Sequence, residues 1–164
     1  GGGSQDRKTL LTERCQEGCG SRPSMDQMKQ AHPMKRTPVN PWSWSLRHGY
    51  NQGEALEGVA RQLICAGQTA VDADGAPQHP GDMRGQLALA LDNLEAVLSA
   101  AGMALADIVR LTVYTTDVDL ALQNFDLLGA RMGRAGVAPP MTLLGVTRLA
   151  LPPLMIELEA TAAT

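Results

Sequence analysis

Two glutamates stand inside an otherwise apolar stretch near the C-terminal end of the chain, "LMIELEATA". Glu157 and Glu159 are separated by one residue, so in a β-strand both side chains point to one face of the sheet and the apolar residues beside them point to the other. Carboxyl groups on a sheet face are candidates for proton transfer. The pattern therefore raises the question of what kind of pocket faces them.

The apolar run before these glutamates, "MTLLGVTRL", is predicted to be a strand that pairs with the last one across a Pro-rich turn. On that partner strand Met141, Leu143 and Gly145 share a face, and we expect them to line the same cleft as Glu157. Apolar surroundings raise the pKa of a carboxyl group, and a raised value suits general acid–base work near neutral pH. The alternative is a glutamate that only accepts backbone N–H bonds at a subunit interface.

Aromatic and imidazole groups earlier in the chain supply further candidates. Tyr50 lies on a predicted strand. Its side chain contacts a ligand, through a hydrogen bond or by stacking, or else it packs at a subunit interface. His48, two residues earlier, would share that strand face as an acid–base group, although a surface histidine is favoured. Trp42 and Trp44 in "NPWSW" form either a lid over the cleft or, as we favour, a staple to a neighbouring subunit.

The three cysteines predict no metal site. Cys15 and Cys19 form a CxxxC pair without a partner His or Cys, whereas structural zinc sites take four ligands. We interpret them as incidental thiols. Cys65 lies in an apolar run and is predicted to be a small core residue.

Composition divides the chain near residue 38. Residues 1–38 begin "GGGS", a flexible-linker composition, and contain all three lysines, whereas residues 39–164 have seven arginines and thirteen acidic residues. We interpret 1–38 as a tag, linker or flexible extension and 39–164 as a single domain. The net charge of −3 predicts no nucleic-acid partner. With neither a membrane-spanning run nor a signal pattern, a cytoplasmic protein is expected.

Periodicity gives the elements that must position these groups. Apolar residues recur at helical spacing in "GDMRGQLALALDNLEAVLSAAG" and in "DLALQNFDLLGARMGR". "SLRHGYNQGE", "ARQLICAGQTAV" and "LADIVRLTVYTTD" are predicted strands. The order β-β-α-β-α-β-β predicts an α/β (α+β) fold with one mixed sheet and both helices on one face. Because the other face would expose apolar surface, we expect a homo-oligomer.

Several of these segments resemble the RidA/YjgF family, notably "AGQ", "NLEAVLSAAG", "DIVRLTVYTTD" and "IELEA", over residues 45–162. The resemblance implies a chorismate-mutase-like fold in a homotrimer, whose three sheets form a central barrel. It places the small-molecule ligand in clefts between neighbouring subunits. It also implies hydrolysis of reactive enamines and imines, such as 2-aminoacrylate, to a ketoacid and ammonia, without a cofactor.

The resemblance further implies roles for individual residues. Glu157 matches the glutamate of the family's last strand and is the candidate for water activation, with Tyr50 as the second catalytic candidate. Gly67 and Asn124 match a ligand-binding glycine and asparagine, although an asparagine in a helix pair more often caps or bridges. Ala66 stands where the family has a serine.

The segment "APPMT" departs from the family pattern, because Met141 stands in place of the arginine that clamps the substrate carboxylate. Leu143 replaces a Cys or Thr. A charge-assisted bond of that kind contributes about 1.5–3 kcal/mol, so we expect a substrate that is neutral, cationic, or larger and more apolar. As substitutes for the lost charge, the helix-end Arg131 and Arg134 are favoured over Arg148, which is expected on the same strand as Met141 but pointing to the opposite face.

These residues favour an enzyme, a Rid-family hydrolase of an enamine, imine or related labile intermediate. The retained Glu157, Tyr50 and Asn124 support that hypothesis. The exchange of arginine for methionine supports the alternative, a non-catalytic, ligand-sensing or chaperone-like trimer. Ribonuclease activity is claimed for some relatives, but this sequence has no basic patch that would support it.

Overall fold

The structure, a computed structural model, describes residues 33–164. Its elements are β1 Lys35–Val39, β2 Gly53–Glu57, β3 Gln62–Ile64, β4 Gln68–Thr69, α1 Met83–Ala100, β5 Ile108–Thr115, α2 Val118–Gln123, α3 Phe125–Arg134, β6 Met141–Gly145 and β7 Ile156–Ala163. Strand β1 begins before the boundary predicted at residue 39, because its residues pair with β2. Residues 1–32 of the predicted extension, with Cys15 and Cys19, lie outside the described residues.

The main sheet is mixed, as the sequence predicts, but the last two strands do not form a hairpin. The strand order is β3-β7-β5-β6, with β4 also beside β7. Strand β7 runs antiparallel to β3, β4 and β5, whereas β5 and β6 are parallel. A parallel pair needs a crossover connection, which α2 and α3 supply. The segment from β6 to β7 is longer than a tight hairpin turn, so β7 enters on the other side of β5.

Strands β1 and β2 form a separate antiparallel pair rather than part of a single sheet. Arg36 anchors this pair to the domain: its Nη2 donates to Glu54 at 2.7 Å and to the Ile108 carbonyl at 2.7 Å.

Tyr50 lies in the connection before β2 and not on a strand. The physical reason is Gly49, which ends a short 3-10 turn in the left-handed conformation, with φ of 78°.

Helix α1 supplies most of the core. Asp82 caps its first turn by accepting from the Gly85 N–H at 3.0 Å, and Gly102 follows its last turn with φ of 71°. The predicted apolar stripe is buried against the sheet: Met83, Leu87, Leu91, Leu94 and Leu98. Each fully buried leucine contributes about 1.5–3 kcal/mol through burial of apolar surface.

The second predicted helix is divided into α2 and α3 at Asn124. The φ and ψ of this residue, −110° and 4°, depart from helical values, and its side-chain amide donates to the Leu120 carbonyl at 2.9 Å. An asparagine side chain that competes for backbone groups favours such an interruption. The bridging role considered from sequence is therefore the contact that Asn124 makes.

Gln86 ties α1 to the connection before β7, and replacing it by leucine is expected to destabilise the fold. Its side chain is fully buried, donates to the Pro153 carbonyl at 2.7 Å and accepts from the Met155 N–H at 2.7 Å. Gln86→Leu leaves both backbone groups unpaired, so we expect the free energy of unfolding to fall by about 2 kcal/mol. Urea unfolding at fixed protein concentration measures it. Gln62→Leu, at an exposed position of β3, is the matched control, and equal midpoints for the two variants would contradict the assignment.

Candidate functional site

The two faces of the main sheet carry different parts of the predicted site. Glu157 is paired with Tyr114 of β5, whereas Met141 and Leu143 are paired with buried core residues of the same strand. Directly paired residues share a face. Met141 and Leu143 also pack against the core that includes the α1 leucines. Glu157 therefore faces away from the helices.

The prediction that β6 pairs with β7, so that Met141 and Leu143 share a face with Glu157, is accordingly wrong. It assumed that β6 and β7 are neighbours, whereas β5 lies between them. In the observed register Leu143 is level with Leu158, the neighbour of Glu157 that points to the helices. Because side chains alternate along a strand, this register puts Glu157 and Leu143 on opposite faces.

On the open face, Glu157 lies in a cavity of about 330 Å³, which we call the Glu157 cavity. Gly67, Tyr114, Arg148 and Glu159 line it together with apolar residues of the β6–β7 connection. Gly67 lets the carboxyl group lie directly against the backbone. A Cβ built on it would be 2.9 Å from Glu157 Cγ and closer still to the carboxyl oxygen.

Tyr114 and Glu159 form a pair within this cavity. The phenol donates to the Glu159 carboxylate at 2.6 Å, and this bond raises the pKa of Tyr114 above its ordinary value, with desolvation and the neighbouring negative charges adding to the effect. The phenol therefore stays protonated well beyond neutral pH. Among the described residues, the Glu157 carboxyl group has no ion-pair partner. It remains available to a water molecule or ligand.

Arg148, which sequence reasoning ranks below Arg131 and Arg134 as a substitute for the lost charge, lies beside Glu157 and not beside Met141. Strand β6 ends before it, so it lies in the connection to β7 and lines the Glu157 cavity. The favoured alternatives, Arg131 and Arg134, line a different cavity. Arg131 is already engaged by acidic residues of α1, which raise its pKa: Glu95 at 2.8 Å and Asp92 at 2.7 Å. Within residues 33–164 Arg148 has no ion-pair partner.

Three predicted residues do come together on the helix side of the sheet. Tyr50, Met141 and Leu143 line a cavity of about 380 Å³ with His48 and Phe125, which we call the Met141 cavity. Although Tyr50 and His48 do not lie on a strand, the turn at Gly49 brings both to this cavity. Tyr50 and Met141 therefore lie together, but separate from Glu157 within one chain.

Trp42 and Trp44 are exposed beside this region, with 65% and 50% of their surface accessible. The Trp44 ring meets the Tyr50 ring edge to face, with centroids 6.1 Å apart and planes at 80°. Offset and edge-to-face pairs of this kind stabilise a ring position. The contact fixes the Tyr50 ring, and the exposed tryptophan faces fit either a lid or a staple to another subunit.

The remaining predicted binding residues lie outside both cavities. Asn124 uses its amide within the α2–α3 break. Ala66 is exposed next to Gly67, and its carbonyl accepts from the Gln68 side chain at 3.2 Å.

Cys65 is a buried core residue, as predicted, and desolvation raises the pKa of its thiol, which keeps it protonated and unreactive.

The described part of the chain lacks two kinds of feature that would define a site type. Residues 33–164 contain no group of three or more His, Cys, Asp or Glu side chains placed to hold a metal ion. Among the same residues, none of the helices has the length and apolarity that crossing a membrane requires.

Comparison with known proteins places these cavities in a family context. A sequence model of the family described as endoribonuclease L-PSP matches residues 44–164. The RutC family protein YjgH of Escherichia coli is 35% identical over 117 residues, covering 71% of this chain and 88% of that protein. The 2-iminobutanoate/2-iminopropanoate deaminase of Escherichia coli is 31% identical over 113 residues, covering 67% and 87%.

A solved structure gives the same result for the fold. The Yersinia pestis protein YyfB, described as a conserved Rid family protein of unknown function, matches with a TM-score of 0.69 and 33% identity. The match covers 79% of this chain and 98% of that chain. The region matched by the family model includes every residue of the Glu157 and Met141 cavities.

Proposed function

The chain belongs to the endoribonuclease L-PSP family, which includes the RidA/YjgF proteins, and on this premise we propose that it is a hydrolase of a reactive enamine, imine or related labile intermediate. The observation that carries the proposal is the free Glu157 carboxyl group, held against the Gly67 backbone in an accessible cavity. A relative with 31% identity is named as an imine deaminase. The proposal keeps the expected cytoplasmic location and the absence of a cofactor.

The proposed reaction adds water across a C=N bond. As the water oxygen bonds to the imine carbon, Glu157 takes one of its protons. The protonated carboxyl then returns this proton to the nitrogen, which gives a carbinolamine. Glu157 next takes the proton of the carbinolamine hydroxyl and passes it to the nitrogen, the C–N bond breaks, and ammonia leaves as the carbonyl forms. General acid–base catalysis of this kind contributes about 10²–10⁴-fold in rate. The Gly67 backbone, which has no side chain to block approach, orients the ligand beside the carboxyl group.

Assembly is part of the proposal, because the Glu157 and Met141 cavities lie on opposite faces of one sheet. A ligand that contacts both requires the Met141 cavity of a second copy to lie over the Glu157 cavity of the first, which is the arrangement of a homotrimer with clefts between subunits. Exposed apolar residues support burial of the open face: Ile64 is 76% accessible and Leu144 47%. Sedimentation that finds only monomer would contradict this arrangement.

Met141 and Arg148 define the expected substrate preference. Met141 offers no charge to a substrate carboxylate, so activity on 2-iminoacids is expected to depend on Arg148, which supplies a cation on the Glu157 side. Neutral imines need no such contact. The test is an ammonia-release assay with 2-aminoacrylate generated in place and with an uncharged imine. Acceleration of neither would contradict the hydrolase.

Arg148→Gln separates the two substrate types. Loss of a charge-assisted bond of about 1.5–3 kcal/mol is expected to raise KM for 2-aminoacrylate at least tenfold while leaving KM for the neutral imine unchanged. Arg61→Gln is the matched control, because Arg61 is an exposed arginine whose guanidinium donates to the Ala101 carbonyl, away from both cavities. An equal effect of Arg148→Gln on both substrates would exclude a carboxylate-binding role.

The second candidate is a trimer that binds a small molecule without transforming it. The observation that favours it is the Met141 cavity, where a thioether stands in place of the arginine implied by the family resemblance. Saturable binding of a product ketoacid without any ammonia release would support this candidate.

A further inference from the structure

A second apolar cavity lies between α3 and the sheet. Its volume is about 230 Å³, and Phe125, Leu128, Met132 and Met141 contribute to its walls. His48 at its edge is the one lining residue with a polar side chain. We call it the α3 cavity. Its side chains offer mainly dispersion contacts to a ligand, so its chemistry selects for apolar groups.

The α3 cavity adjoins the Met141 cavity. Both are lined by His48, Phe125 and Met141. A ligand whose reacting end lies in the Met141 cavity can therefore extend its other end under α3 past the methionine. A cationic side chain at position 141 would lose its hydration when such an apolar group packed against it, which is unfavourable. The thioether of Met141 packs against an apolar group without this cost.

Two glycines of α3 leave this space unfilled. Gly129 and Gly133 are one helical turn apart, and both line the α3 cavity. A Cβ at either position would meet no atom within 4 Å. Glycine inside a helix is destabilising relative to alanine, and it is commonly kept where another group approaches closely. Both glycines are exposed and no atom of the described chain approaches them this closely, so a group bound in the cavity can lie against the helix backbone there.

We propose that the substrate carries an uncharged, ring-sized apolar group that binds in the α3 cavity. This inference rests on the proposed hydrolase and specifies its substrate class. An apolar cavity of about 150 Å³ accommodates a benzene molecule, so the α3 cavity has room for a phenyl ring with a short alkyl linker. The substrate is then an arylalkyl or bulky alkyl imine or enamine, rather than the imine of a small amino acid.

Binding of two neutral amides to the full chain tests the cavity without requiring catalysis. 3-Phenylpropanamide and acetamide share a planar amide and differ by the apolar group. Ligand-observed NMR titration is expected to give a Kd for 3-phenylpropanamide at least tenfold below that for acetamide. Equal Kd values for the two amides would overturn the proposal.

Gly129→Leu fills the α3 cavity from the helix side. We expect it to raise the Kd of 3-phenylpropanamide at least tenfold and to leave that of acetamide unchanged, and Gly133→Leu to do the same. Leucine is a better helix former than glycine, so the fold is not threatened. Ala130→Leu, at the adjacent exposed position of α3, is the matched control and is expected to bind like the wild type.

The outcomes separate this inference from the proposed function. Gly129→Leu that binds 3-phenylpropanamide like the wild type, or no more weakly than Ala130→Leu does, would overturn the α3 cavity as its site. Loss of assembly by Gly129→Leu in light scattering would mark the glycines as an interface between copies and also overturn it. Selective binding without hydrolysis of the imines derived from phenylalanine or alanine would support the cavity while contradicting the hydrolase.

Discussion

Glu157→Gln is expected to lower the rate of ammonia release by a factor of about 10²–10⁴, the usual contribution of a positioned acid–base group. The amide has nearly the shape of the carboxyl group but cannot take a proton from water. Because Glu157 is half-buried on β7 and forms no ion pair within residues 33–164, the exchange is expected to leave stability and assembly unchanged. The measurement is kcat/KM for 2-aminoacrylate and for a neutral imine, with sedimentation of the same sample.

Two further glutamates control this experiment. Glu57→Gln makes the same chemical change on β2, where Glu57 is exposed and pairs with Lys35 at 3.0 Å, and it is expected to change the rate less than about twofold. Glu159→Gln tests the neighbour on the same face, which is engaged by Tyr114. Full activity of the Glu157 variant would make that residue structural. Loss of activity only in the Glu159 variant would move the acid–base role to Glu159.

The helices and the type of sheet could be predicted because they depend on local pattern. In α1 the leucines recur at helical spacing, and those residues are the ones that the structure buries. Strand order depends on pairings between distant segments, which period-two alternation does not encode. The "MTLLGVTRL" and "LMIELEATA" runs looked like a hairpin because they are consecutive, yet the crossover through α2 and α3 places β6 beside β5 instead.

The candidate site could be predicted in part. Gly67 and Glu157 were identified through the family resemblance, and β4 pairs with β7 so that the two lie together. Arg148 was ranked low because it was expected on the strand of Met141 with its side chain on the opposite face, whereas it lies in the connection after β6, whose path no periodicity predicts. The pairing of Glu157 with Met141 failed because face assignment changes completely when the wrong neighbouring strand is assumed.

Gly67→Ala is expected to lower kcat/KM by at least about 10²-fold, because displacing a reacting group by about 1 Å has an effect of that size. The added methyl group would overlap the Glu157 carboxyl group, and the flexible carboxyl end must move away. Gly67 is not among the glycines with positive φ, so alanine fits its backbone conformation. The loss would therefore report the position of the carboxyl group rather than backbone strain. Steady-state kinetics measure kcat/KM, and urea unfolding of the same preparations measures stability.

Gly53→Ala is the matched control, because a Cβ there meets Val39 only at ordinary contact distances of 3.6 and 3.7 Å. Combining Gly67→Ala with Glu157→Gln then isolates the cause. If the glycine acts by positioning the Glu157 carboxyl group, the double variant is expected to be no slower than Glu157→Gln alone, since residues that act through one group are not additive. Additive losses would instead assign Gly67 a separate contact with the ligand, through its backbone N–H.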